Sequence, residues 1–268
     1  MTRTWFILVA SVAFAALLFG PSPALGQTAP SLGTAQSFAV LGGSTVTNTG
    51  SSTITGDLGV HPGSAVVGFP PGLVVSGTIH AADATALSAQ NAVTTAYNSL
   101  VSQACTQDLT GQDLGGKTLT AGVYCFSSSA QLTGILTLNA LGNPNAVFIF
   151  KIGSTLTTAT GSSVVLINSG SACKVFWQVG TSATLGTTTS FQGDILALTS
   201  ITLTTGASVT GRTLARNGAV TLDTNNVAVT TCVPVPIPGW AAVLLATGLL
   251  GLAYLQLRRR SAGAARTS

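Results

Sequence analysis

An internal repeat of 18 residues constrains the fold of this chain more than any other feature of its sequence. The repeat aligns Thr181–Leu198 with Thr199–Arg216, and a third copy with one extra residue begins at Asn217. Each copy holds a Thr-Leu pair, a corner rich in Thr, Ser and Gly, and then a second apolar residue; the leucines are Leu185, Leu203 and Leu222, and the second apolar residues are Phe191, Val209 and Val227. Short alternating strands whose repeats match in register are typical of an all-β solenoid. A β-sandwich is the alternative, because its turns recur at similar intervals, but it does not require register-matched repeats.

One segment interrupts this pattern. Residues 81–104 contain no Gly or Pro and are rich in Ala. Their apolar residues approximate a helical stripe, which consists of Leu87, Val93, Tyr97, Leu100, Val101 and Ala104. We predict one long helix over 81–104, packed lengthwise on one face of the solenoid, with Asp83 in its first turn.

Both ends of the chain look like targeting segments. Residues 1–26 have a basic start, an apolar stretch and a small-residue cleavage site, which predicts a signal peptide. At the other end, the proline-rich leader 233–238 precedes the apolar segment 239–257, which is long enough to span a membrane, and a basic tail over 258–268 that we place in the cytoplasm. The order of leader, span and arginine cluster resembles the sorting tails that exosortase-type enzymes process. We therefore expect an exported solenoid domain over 27–232, at the cell surface and membrane-anchored at least transiently.

Charge and cysteine usage narrow the function. Between residues 27 and 232 there are five basic and six acidic residues, a net charge of −1, and the chain contains no Glu. This charge balance provides no basic patch that could bind nucleic acid. The four cysteines of an exported chain predict two disulfides, for which three pairings exist; we favour Cys105 with Cys125 and Cys173 with Cys232. A metal site is the weaker alternative, because there is no Cys-x-x-Cys motif, so we expect no metal and no cofactor.

Catalysis has little support in the sequence. Glycoside hydrolysis needs two carboxylates that flank the bond, whereas the aspartates here are spread along the chain. Asp194 and Arg212 occupy the same position of adjacent repeats, which predicts a cross-strand ion pair worth under about 1 kcal/mol. His61 and His80 have no evident partner. We therefore expect the protein not to be an enzyme.

A ladder of hydroxyl side chains is the positive signal. Thr184, Thr202 and Thr221 precede corresponding leucines, and each points away from its leucine on an extended strand. We predict a flat outward grid built from these threonines and from residues in equivalent positions or two residues away, namely Thr45, Thr155, Thr157, Ser182, Ser200, Thr204 and Ala219. Asp223 and Gly186 interrupt its outer row. A regular grid of methyls and hydroxyls can order water into a lattice-like layer.

Several motifs resemble the ice-binding family of bacteria, fungi and algae. They lie in family order over residues 31–229 and include Leu32–Ala35, Phe38–Leu41, Ser52–Val60, Thr118–Tyr124, Phe148–Ile152, Val175–Gly180 and Gly211–Ala215. The resemblance implies a right-handed, discontinuous β-helix of triangular cross-section with a long helix alongside. It also implies adsorption to an ice crystal through one flat face, by a protein that we expect to be a monomer. A cell-surface or matrix adhesin that binds polysaccharide or other cells on the same scaffold is the alternative.

Overall fold

The computed structural model of the protein describes residues 27–230. They belong to the first of two compact units, Met1–Cys232, and the second unit, Val233–Ser268, lies outside the described residues. The predicted signal peptide, Cys232, the proline-rich leader, the apolar segment and the basic tail also lie outside them. Between residues 27 and 230, no helix is both long and apolar enough to cross a membrane.

The described chain is mostly β-structure with one α-helix. The helix, α1, is Ala84–Val101, and two short 3-10 helices are Gly33–Ser37 and Ala172–Lys174. The strands in chain order are β1 (Phe38–Gly42), β2 (Thr45–Thr49), β3 (Thr53–Thr55), β4 (Asp57–Val60), β5 (Ala65–Val67), β6 (Leu73–Val75), β7 (Ile79–Ala81), β8 (Gln107–Asp108), β9 (Thr118–Thr120), β10 (Gly122–Phe126), β11 (Ala130–Leu132), β12 (Ile135–Asn139), β13 (Phe148–Ile152), β14 (Leu156–Thr158), β15 (Ser163–Ile167), β16 (Val175–Val179), β17 (Ala183–Leu185), β18 (Ser190–Ala197), β19 (Ile201–Leu203), β20 (Ser208–Ala215), β21 (Val220–Asp223) and β22 (Asn226–Ala228).

These strands form two parallel sheets. The small sheet has seven strands in the order β11-β14-β17-β19-β21-β2-β5, and the other fifteen strands form the large sheet. The repeat predicted from the sequence sets the pairing, since Phe191 lies beside Val209 and Val209 beside Val227. The sheets are therefore built from register-matched repeats, as the 18-residue period predicts.

The chain does not stack its strands in sequence order throughout. Strand β2, near the N-terminus, pairs with β21, near the C-terminal end of the described chain, and β1 likewise pairs with β20. Helix α1 follows β7 at this end of the large sheet and leads to β8 at the opposite end. Its 18 residues span about 27 Å. That length matches five or six strand spacings of about 4.8 Å, so the helix returns the chain along the sheet.

The helix is shorter than the predicted segment 81–104 by three residues at each end. Ala81 belongs to β7, and Asp83 is the N-cap, whose carboxylate accepts a hydrogen bond from the Ala86 amide at 2.8 Å. The predicted apolar stripe was wrong at three positions, because Leu87 and Val101 are exposed and Ala104 is exposed beyond the end of the helix. The buried side of the helix is formed by Ala86, Ala89, Gln90, Val93, Ala96, Tyr97 and Leu100. Alanines bring the helix close to the sheet, and a hydrophobic pattern that favours larger residues misses them.

Two apolar cores hold the strands and the helix. The first core is enclosed by the strands of the two sheets. It contains a stack of four aromatic rings, Tyr124, Phe150, Trp177 and Phe191, whose successive centroids are 5.5, 3.9 and 4.8 Å apart. The second lies between the helix and the large sheet and includes residues of α1, β1, β13, β16, β18 and β20. The helix therefore packs along the sheet, as predicted.

Glycine allows the long strands β18 and β20 to turn a corner. Gly193 and Gly211 lie side by side at this corner with φ values of 107° and 146°. A Cβ atom on Gly211 would lie 2.1 Å from the Gly193 carbonyl oxygen. Only glycine has both the backbone freedom and the space for this position.

A disulfide joins Cys105, which follows the helix, to Cys125 in β10. This is the first of the two pairings that the sequence favours. Cys173 is also disulfide-bonded. Cys232, its predicted partner, lies outside the described residues, so that pairing stays a prediction.

Candidate functional site

The outward face of the small sheet presents three rows of side chains that run across its strands. The central threonine row consists of Thr157, Thr184, Thr202, Thr221 and Thr47, on five consecutive strands. The leading row, two residues earlier on each strand, consists of Thr155, Ser182, Ser200, Ala219 and Thr45. The trailing row, two residues later, consists of Ala159, Gly186, Thr204, Asp223 and Thr49. Neighbouring rows are about 6.6–6.8 Å apart along the strand, and neighbours within a row are about 4.7–4.9 Å apart.

The central threonine row is regular because alternate residues of each strand are apolar and buried. Ile201 and Leu203 point into the core on either side of Thr202, and Val220 and Leu222 do so beside Thr221. This alternation leaves the threonine between each pair on the outer side of the sheet. Gln131 and Val67 continue the row onto the two terminal strands, so it crosses all seven strands.

The hydroxyls of the central row are available to solvent. Within the described part of the chain, those of Thr157, Thr184 and Thr202 make no hydrogen bond to protein, and those of Thr47 and Thr221 are 3.4 Å from one another. A β-branched threonine has few side-chain rotamers, so methyl and hydroxyl are held in fixed positions along the row. The row can therefore hold water at repeating positions.

The leading row is partly occupied by internal hydrogen bonds. The Ser182 hydroxyl accepts a hydrogen bond from the Ser200 amide, and the Ser200 hydroxyl accepts one from the Ala219 amide, both at 3.3 Å. The Thr155 hydroxyl donates to Ser129 at 2.8 Å. These contacts fix the side chains and leave fewer of their polar sites for solvent.

The trailing row is the least regular. The Thr204 hydroxyl donates to the Leu185 carbonyl at 2.8 Å, Gly186 has no side chain, and Asp223 carries a charge. The sequence predicts the interruptions at Gly186 and Asp223.

Three of the predicted residues lie in rows that differ from those predicted by the alignment of the repeats. Thr157 pairs with Thr184 and is central, whereas Thr155 is in the leading row. On β2, Thr47 pairs with Thr221 and is central, whereas Thr45 is in the leading row. All ten predicted residues nevertheless lie on this face or at its edge.

The shift has one physical cause on both strands. The alignment matches each Thr-apolar pair to the Thr-Leu pair of the repeat, but on β14 and β2 the inward position opposite that leucine is polar. Thr158 takes this position on β14 and is buried, where its hydroxyl lies 2.8 Å from the Thr189 hydroxyl. Asn48 takes it on β2, opposite Leu222, and donates to the Gly50 and Gly68 carbonyls. Sequence reasoning therefore missed Thr47 as a central residue; the available signal was the alternation of Thr45, Thr47 and Thr49 along one strand.

The predicted ion pair between Asp194 and Arg212 forms at 3.0 Å, but its predicted energy of under about 1 kcal/mol, a value typical of an exposed pair, was wrong. Both side chains are buried, and Arg212 also donates to the carbonyls of Gln36 and Thr230. Removing one partner of such a pair typically costs about 3–5 kcal/mol, well above the value for a surface pair. Burial raises the pKa of Asp194 to about 6, against the opposing effect of the Arg212 guanidinium. The pair joins the two ends of the described chain, and among residues 27–230 Asp194 is the one carboxylate that contacts Arg212.

His80 lies on β7 of the large sheet, away from the threonine face. His80 Nδ1 is 2.7 Å from the carboxylate of Asp83, and the hydrogen bond from the Ala86 amide, together with this contact, lowers the pKa of Asp83. His80 therefore has a partner that the sequence did not indicate. Among residues 27–230, no group of three or more His, Cys, Asp or Glu side chains is placed to hold a metal ion.

Comparison with known proteins gives a consistent picture. The chain is 54% identical over 267 residues to an ice-binding protein of Nostoc sp. (strain HG1), and the match covers 97% of each chain.

Solved structures agree with this. An ice-binding protein from an Antarctic biological consortium superposes with a TM-score of 0.74 at 47% identity, over 78% of this chain and 95% of that one. An ice-binding protein from the Antarctic ascomycete Antarctomyces psychrotrophicus also has a TM-score of 0.74, at 40% identity, over 76% of this chain and all of that one. The family model described as Ice-binding-like matches residues 40–228. This range includes the 18-residue repeats, the helix and the central threonine row. This chain belongs to the Ice-binding-like family.

Proposed function

We propose that this protein binds ice through the outward face of the small sheet and so inhibits ice growth and recrystallisation. The observation that carries the proposal is the central threonine row, in which five threonines lie in register on consecutive strands. A crystal is a repeating target, and a surface with a matching repeat can contact it at many points at once. The printed descriptions of the relatives support the same function.

The central row is the middle of the proposed site. Its methyl and hydroxyl groups are small, fixed and uncharged, so water can form an ordered layer over them. The leading row widens the contact through Thr45, Thr155, Ser182, Ser200 and Ala219. The trailing row adds Thr204. No single hydrogen bond dominates, and the binding is a sum of many weak contacts.

The scaffold of this site is, in our proposal, a right-handed β-solenoid of triangular cross-section. All strand pairings between residues 27 and 230 are parallel, and register-matched repeats support this interpretation. Each full repeat passes once through the small sheet and twice through the large sheet, on either side of the corner at Gly193 and Gly211. Such a scaffold keeps the rows straight because every repeat is held by its neighbours.

The same proposal makes this an exported, monomeric surface protein without enzymatic activity or cofactor. The predicted signal peptide over 1–26 and the disulfides support export, because disulfides persist in oxidising compartments. The sequence of residues 233–268 supports membrane anchoring through 239–257 before a sorting enzyme acts on the tail. The protein would thus present its ice-binding face outside the cell.

A direct assay tests the function. Purified Gln27–Cys232 is added to a single ice crystal in a supercooled drop, and growth is followed. Faceting, halted growth and inhibited recrystallisation are expected. Normal growth in the presence of folded protein would contradict the proposal, and polysaccharide binding would then favour the adhesin.

A further inference from the structure

One charged residue interrupts an otherwise uncharged surface. Among the outward-facing side chains of the seven strands in the small sheet, Asp223 is the one that carries a charge. Its strand, β21, lies inside the sheet between β19 and β2. The charge is therefore within the length of the proposed ice-binding face and not at either end.

The carboxylate of Asp223 is drawn toward the corner that follows the strand. The Thr205 hydroxyl donates to one carboxylate oxygen, and the Thr224 hydroxyl donates to the other at 3.2 Å. Asp223 itself is half-buried, beside Thr49. The two hydroxyls satisfy part of its hydrogen-bonding capacity, but within the described residues no cation neutralises it, because the two salt bridges lie elsewhere.

We propose that Asp223 weakens the adsorption of this face to ice and confines close contact to the leading and central rows. The inference rests on the proposed function and identifies a residue that sets its strength. A carboxylate holds its hydration water tightly and in an orientation fixed by its charge, and removing that water is costly. Water bound in this way does not match the layer that uncharged threonines order.

The trailing row supports this interpretation by its composition. Apart from Asp223, it contains only small uncharged residues, with Gly186 beside Ala159 and Thr49 beside Asp223. Without the charge, the row would extend the contact surface by a third line of small groups. The charge of Asp223 thus limits the contact surface to two rows, and without it the surface would include all three.

The test removes the charge with little change in shape. Asp223→Asn keeps an acceptor oxygen for one of the corner hydroxyls, and Asp223→Thr places a second threonine on β21. Thermal hysteresis, the gap between melting and growth temperatures of an ice crystal, is measured at equal concentrations of wild-type and variant chains. We expect both variants to raise it by roughly twofold, a modest effect because the charge is partly exposed to solvent. Values equal to or below the wild-type value would overturn the proposal.

Two further variants separate the alternatives. Asp108→Asn makes the same change of charge on the exposed strand β8, outside the small sheet, and should leave hysteresis unchanged. Ala159→Asp adds a charge at an exposed position of the trailing row and should lower hysteresis. This variant decides the question even if Asp223 is needed for folding, because an unchanged value would show that a charge in the trailing row does not weaken adsorption and would overturn the proposal. Absence of hysteresis in the wild-type protein would instead refute the proposed function.

Discussion

The substitution Thr202→Tyr tests the proposed ice-binding face most directly. Thr202 is at the middle of the central threonine row, between Thr184 and Thr221. A tyrosine ring reaches several ångströms further from the backbone than a threonine side chain. It would therefore stand above a surface whose other groups lie at one level.

The size of the effect follows from how steeply contact energy falls with distance. A gap of only about 0.5–1 Å removes a quarter to a half of the dispersion attraction between two atoms. Thr184 and Thr221 are about 4.8 Å away on the adjacent strands, so the ring would lift both from the ice together. We expect the variant to lose most of its thermal hysteresis.

Stability should change much less than activity. Thr202 is half-buried on the outer side of the sheet, and Tyr is a good strand former. Surface substitutions of this kind usually change the free energy of unfolding by about 0.5 kcal/mol or less. Circular dichroism melts of both proteins would measure this.

The matched control is Thr210→Tyr. Thr210 is exposed on β20 of the large sheet, between Gln192 and Ala228, and so lies off the threonine face. This variant should keep full hysteresis. The reasoning is refuted if a folded Thr202→Tyr variant is as active as the wild type, or if both variants lose the same activity.

Three further predictions concern the scaffold. The folded-state pKa of Asp194, about 6, lies above its ordinary value of 3.8, so the folded protein takes up this proton first as the pH falls. Lowering the pH from 7 to about 5 should therefore raise the melting temperature of the wild type relative to Asp194→Asn, and an identical response of the two proteins would contradict this. Non-reducing peptide mapping should find the Cys173–Cys232 disulfide beside Cys105–Cys125, each worth about 2–4 kcal/mol, and a different pairing would contradict this prediction. A metal chelator should leave the melting temperature unchanged, and a large decrease would reveal a metal site.

The sequence predicts the repeats of this fold well because their inward positions are apolar. Leu185 and Leu203 are paired as the 18-residue period indicates, and so are Thr184 and Thr202. Prediction of the register fails where an inward position is polar, as at Thr158 and Asn48, since a hydrophobic pattern cannot distinguish such a residue from an outward one. Buried hydrogen bonds compensate for these polar groups, and those partners are visible only in three dimensions.

Pairings between distant segments are also beyond a repeat-based prediction. Thr47 and Thr221 are 174 residues apart, yet they lie side by side in the central threonine row. The period of the repeat indicates only that strands of successive repeats pair with each other. It therefore contains no signal that the N-terminal strand β2 pairs with β21, the strand of the last repeat. The resemblance to the family implied a discontinuous β-helix but did not assign β2 to this place.

The buried pair of Asp194 and Arg212 gives this junction a physical basis. Arg212 belongs to β20, which pairs with β1, and its guanidinium donates to the carbonyls of Gln36 and Thr230. It therefore ties the segment that precedes β1 to the C-terminal end of the described chain. Because β1 leads directly into β2, the contacts of Arg212 help to hold β2 beside β21. The threonine face on the small sheet thus depends on a charged pair buried in the large sheet as well as on the threonines themselves.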